Sequence, residues 1–144
     1  MKSNYLKYWR VIRYFIKAKY KLSQADLDIL LFLYDEDYFS KDKFKEFDEL
    51  LSWNTNRFDT LLRDKWIIVF RKYDGKRKGL YNLSYKARRL IASIYNKLNG
   101  EEIPTSASAN PMFARNVSYT DKVYRNMVLE MNRFIKQQRH LSPE

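Results

Sequence analysis

The chain contains no cysteine. Disulfides, thiolate metal sites and a cysteine nucleophile are therefore excluded, and the composition is compatible with a reducing compartment. Its single histidine, His140, lies near the C-terminus and cannot by itself form a metal site or an acid–base pair. No uncharged apolar run approaches the roughly 18 residues that a membrane span needs. The aromatic N-terminal stretch is interrupted by Lys7, Arg10, Arg13, Lys17 and Lys19, so it lacks the contiguous apolar segment of a secretory signal. Intracellular, cytoplasmic residence is the expectation. There is also no Gly-Lys-Ser/Thr phosphate loop, no His/Cys cluster and no nucleophile elbow. No enzyme, catalytic residue, cofactor or metal site is expected, and Asp35-Glu36-Asp37 reads as a solvated turn.

The 144 residues have room for one domain with a substantial core and an appended helix. Hydrophobic residues at 45% argue against wholesale disorder, and aromatics reach 17%. The net charge of +11 is unevenly spread. Residues 1–21 carry seven Lys/Arg and no acid, whereas residues 22–53 carry nine acids against three bases. Residues 54–79 then carry eight bases against three acids. This concentrates cationic charge on a particular segment, a pattern that points to nucleic acid.

That segment reads as an amphipathic helix, a β-branched and aromatic strand (Trp66–Phe70), a basic turn with Gly75 and Gly79, and an alternating strand (Leu80–Leu83). Before it, helical spacing is expected over residues 4–20, with Tyr5, Tyr8, Trp9, Ile12, Phe15 and Ile16 on one stripe. Ser23 caps a second helix with Leu27, Leu30, Leu31 and Tyr34 inward. Ser40 caps a third, with Phe44, Phe47, Leu50 and Leu51 inward, and Asn54 or Thr55 starts a fourth with Phe58, Leu61 and Leu62 inward. Ser84 caps a further helix that Gly100 terminates. Residues 101–118 hold Pro104 and Pro111 and read as a linker or arm. A last helix begins near Thr120, carrying Tyr124, Met127, Val128, Met131, Phe134 and Ile135, with a loose tail after Gln138.

The fold class expected is mainly α with a small β-hairpin: a winged helix-turn-helix with flanking N- and C-terminal helices. The expected divisions are an N-terminal basic amphipathic helix at 1–21, a winged helix-turn-helix domain at 22–100, the arm at 101–118, and a C-terminal helix and tail at 119–144.

Three segments carry a resemblance to the MarR family of winged-helix transcription regulators. Leu22-Ser23-Gln24-Ala25-Asp26-Leu27 resembles the family's opening helix start, Asp74-Gly75-Lys76-Arg77 its wing tip, and Leu83-Ser84-Tyr85-Lys86-Ala87-Arg88-Arg89-Leu90 its strand-to-helix junction. Lys65 stands where the family usually has glycine between recognition helix and strand, and Ala87 replaces the junction glycine. The resemblance implies a regulator of double-stranded DNA that forms a homodimer through its N- and C-terminal helices. Small-molecule effectors occur in such proteins, but no residue here identifies one.

The expected DNA contacts are Asn54, Thr55, Asn56, Arg57, Thr60 and Arg63 on the recognition helix. Arginine pairs with guanine and asparagine with adenine in the major groove. The competing role for Arg57 and Arg63 is an exposed salt bridge to Asp59 or Asp64. On the wing the expected contacts are Lys72, Lys76, Arg77 and Lys78, with Arg77 in the minor groove and the lysines on phosphates. The alternative is a virus or phage structural or assembly protein, in the host cytoplasm, that uses the winged helix for protein contact or non-specific DNA binding. Membrane association through residues 4–20 ranks below both.

Overall fold

The computed structural model describes residues 5–51 and 56–141. Its helices are α1 (Tyr5–Tyr20), α2 (Gln24–Leu33), α3 (Lys41–Leu51), α4 (Arg57–Arg63), α5 (Tyr85–Leu98) and α6 (Tyr119–Leu141), and its strands are β1 (Ile67–Arg71) and β2 (Leu80–Leu83). The chain forms two compact units, one of Ser23–Ala92 and the other of Met1–Leu22 with Ser93–Glu144.

In the Ser23–Ala92 unit α2, α3 and α5 start from serine, whereas α4 starts from Asn56 with no side-chain cap. Ser23 accepts from the Asp26 amide at 3.0 Å while Asp26 reaches back to the Ser23 amide, closing a capping box on α2. Ser40 accepts from Lys43 N–H at 3.2 Å, and Ser84 from Ala87 N–H at 3.1 Å. α2 is buried on more than one side, through Leu27, Ile29, Leu30 and Leu33. Phe44 and Phe58 pack edge to face at 5.0 Å, and Phe58 meets Tyr81 at 4.9 Å, so one aromatic cluster joins α3, α4 and β2. Leu50, expected inside, is 77% exposed: the inward stripe of α3 runs through Phe44 and Asp48 instead.

β1 and β2 pair antiparallel, with Ile67 opposite Leu83 and Val69 opposite Tyr81, and a bulge falls between Val69 and Arg71. Phe39 pairs with Tyr81 through both backbone hydrogen bonds, at 3.0 and 2.8 Å, adding a one-residue third strand on the β2 side. β1 is thus the outer strand. Its Ile68, Val69 and Phe70 are exposed rather than core, as on an edge strand, and Phe70 packs against the exposed Tyr38 ring at 4.0 Å.

α1, α4 and α5 stop the same way. Leu22 N–H reaches Lys17 C=O at 3.1 Å, Trp66 N–H reaches Leu61 C=O at 2.9 Å, and Glu101 N–H reaches Asn96 C=O at 3.0 Å. Each bond spans a residue of positive φ: Lys21 at 56°, Lys65 at 63° and Gly100 at 108°. This is the Schellman closure, which glycine fills without a Cβ clash and lysine does not. Replacing Lys65 by glycine is therefore expected to raise stability by about 1 kcal/mol in urea unfolding. No gain would mean that the lysine stem recovers the strain by packing.

In the other unit, α1 buries Val11, Ile12, Phe15 and Ile16, while α6 contributes Val128, Met131 and Ile135 to the apolar interior. Tyr14 and Tyr124 stack at 3.8 Å, and the Tyr14 hydroxyl donates to Asp121. Burial, reinforced by the Asp121 carboxylate, pushes the Tyr14 phenol up to about 12. The Pro-containing segment is anchored. Ile103 and Met112 are buried, and a single 3-10 turn spans Pro111–Phe113. The buried Asn132 side chain accepts from Ile103 N–H at 3.0 Å and donates to Ile103 C=O at 2.9 Å. Asn110, also buried, donates to Pro104 C=O at 2.8 Å and accepts from Met112 N–H at 3.1 Å. Lys97 is 5% exposed and spends its ammonium on Ser93 and Glu101, above the Phe15 ring. α6 continues through the expected loose tail as far as Leu141.

Candidate nucleic-acid interface

The second helix of the helix-turn-helix, α4, is two turns long. Its inner face is Phe58 and Leu61, both buried; Leu62 is half-buried. Asn56 and Arg63 are exposed, and Thr60 between them is half-buried and donates its hydroxyl to Asn56 C=O at 3.1 Å. These three lie on the side of α4 away from the core, as the 3.6-residue period requires. Arg63 pairs with its neighbour Asp64 at 3.3 Å, and both side chains remain largely in solvent. Asp59 is exposed and places an acid on the same short helix. Asn54 and Thr55 lie outside the described residues.

Arg57 sits elsewhere than the sequence suggested. It is 6% exposed, and its guanidinium reaches inward. Nε donates to Asp48 at 2.9 Å, while Nη1 donates to Asp26 at 2.5 Å and to Ser23 Oγ at 3.4 Å. Neither Asp59 nor Asp64 is its partner in these bonds. Burial disfavours its charge, but the hydrogen bonds to Asp48 and Asp26 outweigh that and raise its pKa. Arg57 thus braces α4 against α2 and α3, and it is the one recognition-helix candidate among the described residues that the fold withdraws from the surface.

The wing is a stiff stalk with a charged tip. Asp74 organises the turn by accepting from Lys76 N–H at 3.1 Å and Arg77 N–H at 2.8 Å, with Gly75 between them at φ 87°. Its second oxygen accepts from Arg77 Nε at 2.9 Å. The Arg77 amide, the Lys76 amide and the Arg77 guanidinium hold the Asp74 carboxyl below its usual range. Arg71 donates to Lys78 C=O at 2.9 Å and closes the neck. Lys72, Lys76, Arg77 and Lys78 are all exposed. Lys78 leaves the wing to meet Asp42 in the first turn of α3 at 2.6 Å. Two further lysines, not among the expected contacts, stand nearby. Lys65 is exposed at the end of α4, and Lys86 caps α4 by donating to Asp64 C=O at 2.9 Å, over the Trp66 ring. The signal for Lys65 was the missing glycine at a helix stop; for Lys86 there was none.

Among the described residues, no group of acidic, histidine or cysteine side chains could hold a metal ion, and no helix is long and apolar enough to cross a membrane.

Helices α2, α3 and α4, the β1–β2 hairpin with its Phe39 bridge, and α5 after it define a winged helix-turn-helix. No protein-family model matches the sequence, and no curated protein does. Among solved structures, the chain is similar to a cysteine-to-serine mutant of MarR from E. coli complexed with operator DNA. Identity is 15%, the match covers 87% of this chain and 84% of that one, and the TM-score is 0.46. A likeness this distant assigns no residue a role.

Proposed function

We propose that the chain binds double-stranded DNA as a sequence-selective regulator, with α4 in the major groove and the wing on adjacent backbone. The observation that carries this reading is the wing. Four exposed cations, Lys72, Lys76, Arg77 and Lys78, stand on a paired, bulged and neck-closed hairpin that follows α4 directly. A solubilising loop needs no such rigid mount, whereas a phosphate clamp does. Base discrimination then falls to Asn56 and Arg63, with Asn54 and Thr55 as further candidates. The Thr60 hydroxyl is bonded to the Asn56 carbonyl, which suits the side chain to packing against a groove wall. Arg57 has a structural role in this reading. A homodimer through α1 and α6 would set two such units on a near-palindromic site and would cover Tyr5, Leu6 and Tyr119, which are exposed.

Gel shift over a salt series tests this. Lys76→Ala and Arg77→Ala should each weaken binding to every duplex and flatten the log–log salt slope by about one. Asn56→Ala should change the ranking among sequences instead. Wild-type protein that retards no duplex at low salt would overturn the reading. That result would favour a protein-contact module, for which the exposed Ile68, Val69 and Phe70 of β1 are the supporting feature.

A further inference from the structure

The Lys78–Asp42 contact closes a gap of 36 residues, from the base of the wing to the first turn of α3. We propose that Asp42 is an intramolecular stand-in for a phosphate. It occupies the Lys78 ammonium in the free protein and is displaced when the wing meets a polyanion, so that it tempers affinity. This rests on the nucleic-acid reading above.

Two roles for the contact are possible in principle: a strut that positions the wing, or a competitor for its charge. The surroundings select the second. The wing is already fixed without Asp42, by the β1–β2 ladder, by Phe39 paired to Tyr81, by Asp74 across the tip and by Arg71 across the neck. The two side chains of the contact are 72% and 66% exposed. An ion pair so open to water contributes little to fixing a hairpin, and exchanging its carboxylate for a phosphate oxygen costs little. The pairing is nonetheless real enough to hold the Asp42 carboxyl below its usual range and to raise the Lys78 ammonium. Lys41, Lys43 and Lys45 flank Asp42 on α3. Lys45 acts on Asp42 beside Lys78, whereas Lys43 is paired with Glu36 and Glu46, and the negative charge of Asp42 opposes an approaching backbone directly as well as through Lys78.

The test is fluorescence anisotropy with a labelled random-sequence duplex over a salt series, using the full chain. Asp42→Asn should tighten binding about threefold or more at low salt and steepen the salt slope by close to one. In a Lys78→Met background, which by itself weakens binding, Asp42→Asn should give a clearly smaller gain. An unchanged or weaker Kd for Asp42→Asn overturns the competitor role, weaker binding being the mark of a strut. A full gain that persists without Lys78 overturns it too. Wild-type protein that binds no duplex at any salt overturns the nucleic-acid reading and this inference together; binding by wild type with no response to Asp42→Asn overturns this inference alone.

Discussion

Arg57→Met should lower the unfolding free energy by about 3–5 kcal/mol, the usual cost of removing one partner of a buried charge pair. The arginine is the hub of a contact that no neighbour can replace. Asp48 is 8% exposed and Asp26 is largely sheltered, so two carboxylates lose their cation at once, and Ser23 loses a donor at the cap of α2. Against a total stability of about 5–15 kcal/mol for a typical domain, this is a large fraction. Urea unfolding with tryptophan fluorescence reads it. Adding Asp26→Asn and Asp48→Asn to Arg57→Met should recover much of the loss, because the stranded charges go with the arginine. A cost below about 1 kcal/mol would show a solvent-accessible guanidinium and return Arg57 to the set of residues able to touch DNA.

Asn132→Ala should cost about 2–6 kcal/mol, since each of two buried backbone groups of Ile103 loses its partner at about 1–3 kcal/mol. The asparagine amide copies the hydrogen-bond pattern of a neighbouring strand, so an extended segment is sealed against a helix with no strand available. Hydrogen exchange should show the Ile103 amide, slow in the wild type, becoming fast in the variant. Unaltered protection would mean that buried Ile103 and Met112 hold the segment by themselves.

Local chemistry was readable from the chain; distant pairing was not. Ser23, Ser40, Ser84 and Gly100 mark helix ends because a cap acts on residues two to five positions away. The hairpin was legible from Trp66–Phe70, Gly75 and Gly79 for the same reason. Arg57 was misread because its carboxylates lie 9 and 31 residues off, while Asp59 and Asp64 were close by and equally plausible. The 101–118 segment read as a linker from its prolines. What docks it are Asn110 and Asn132, polar residues that sequence patterning assigns to solvent, together with Ile103 and Met112, too isolated to form a periodic stripe. Ile68, Val69 and Phe70 have the composition of a core strand, and only the pairing order shows that β1 is an edge.

The joint between α4 and β1 has no slack. Asp64, Lys65 and Trp66 each donate a backbone hydrogen bond to the last turn of α4, and Trp66 C=O accepts from Ser84 N–H at 3.0 Å. One residue inserted there would swap the two faces of β1, because strand side chains alternate. The tip, by contrast, is bonded almost wholly to itself. For anyone redesigning this scaffold, residues 72–79 are the exchangeable cassette, whose length and charge can be varied, while the three-residue splice behind them has to keep its length.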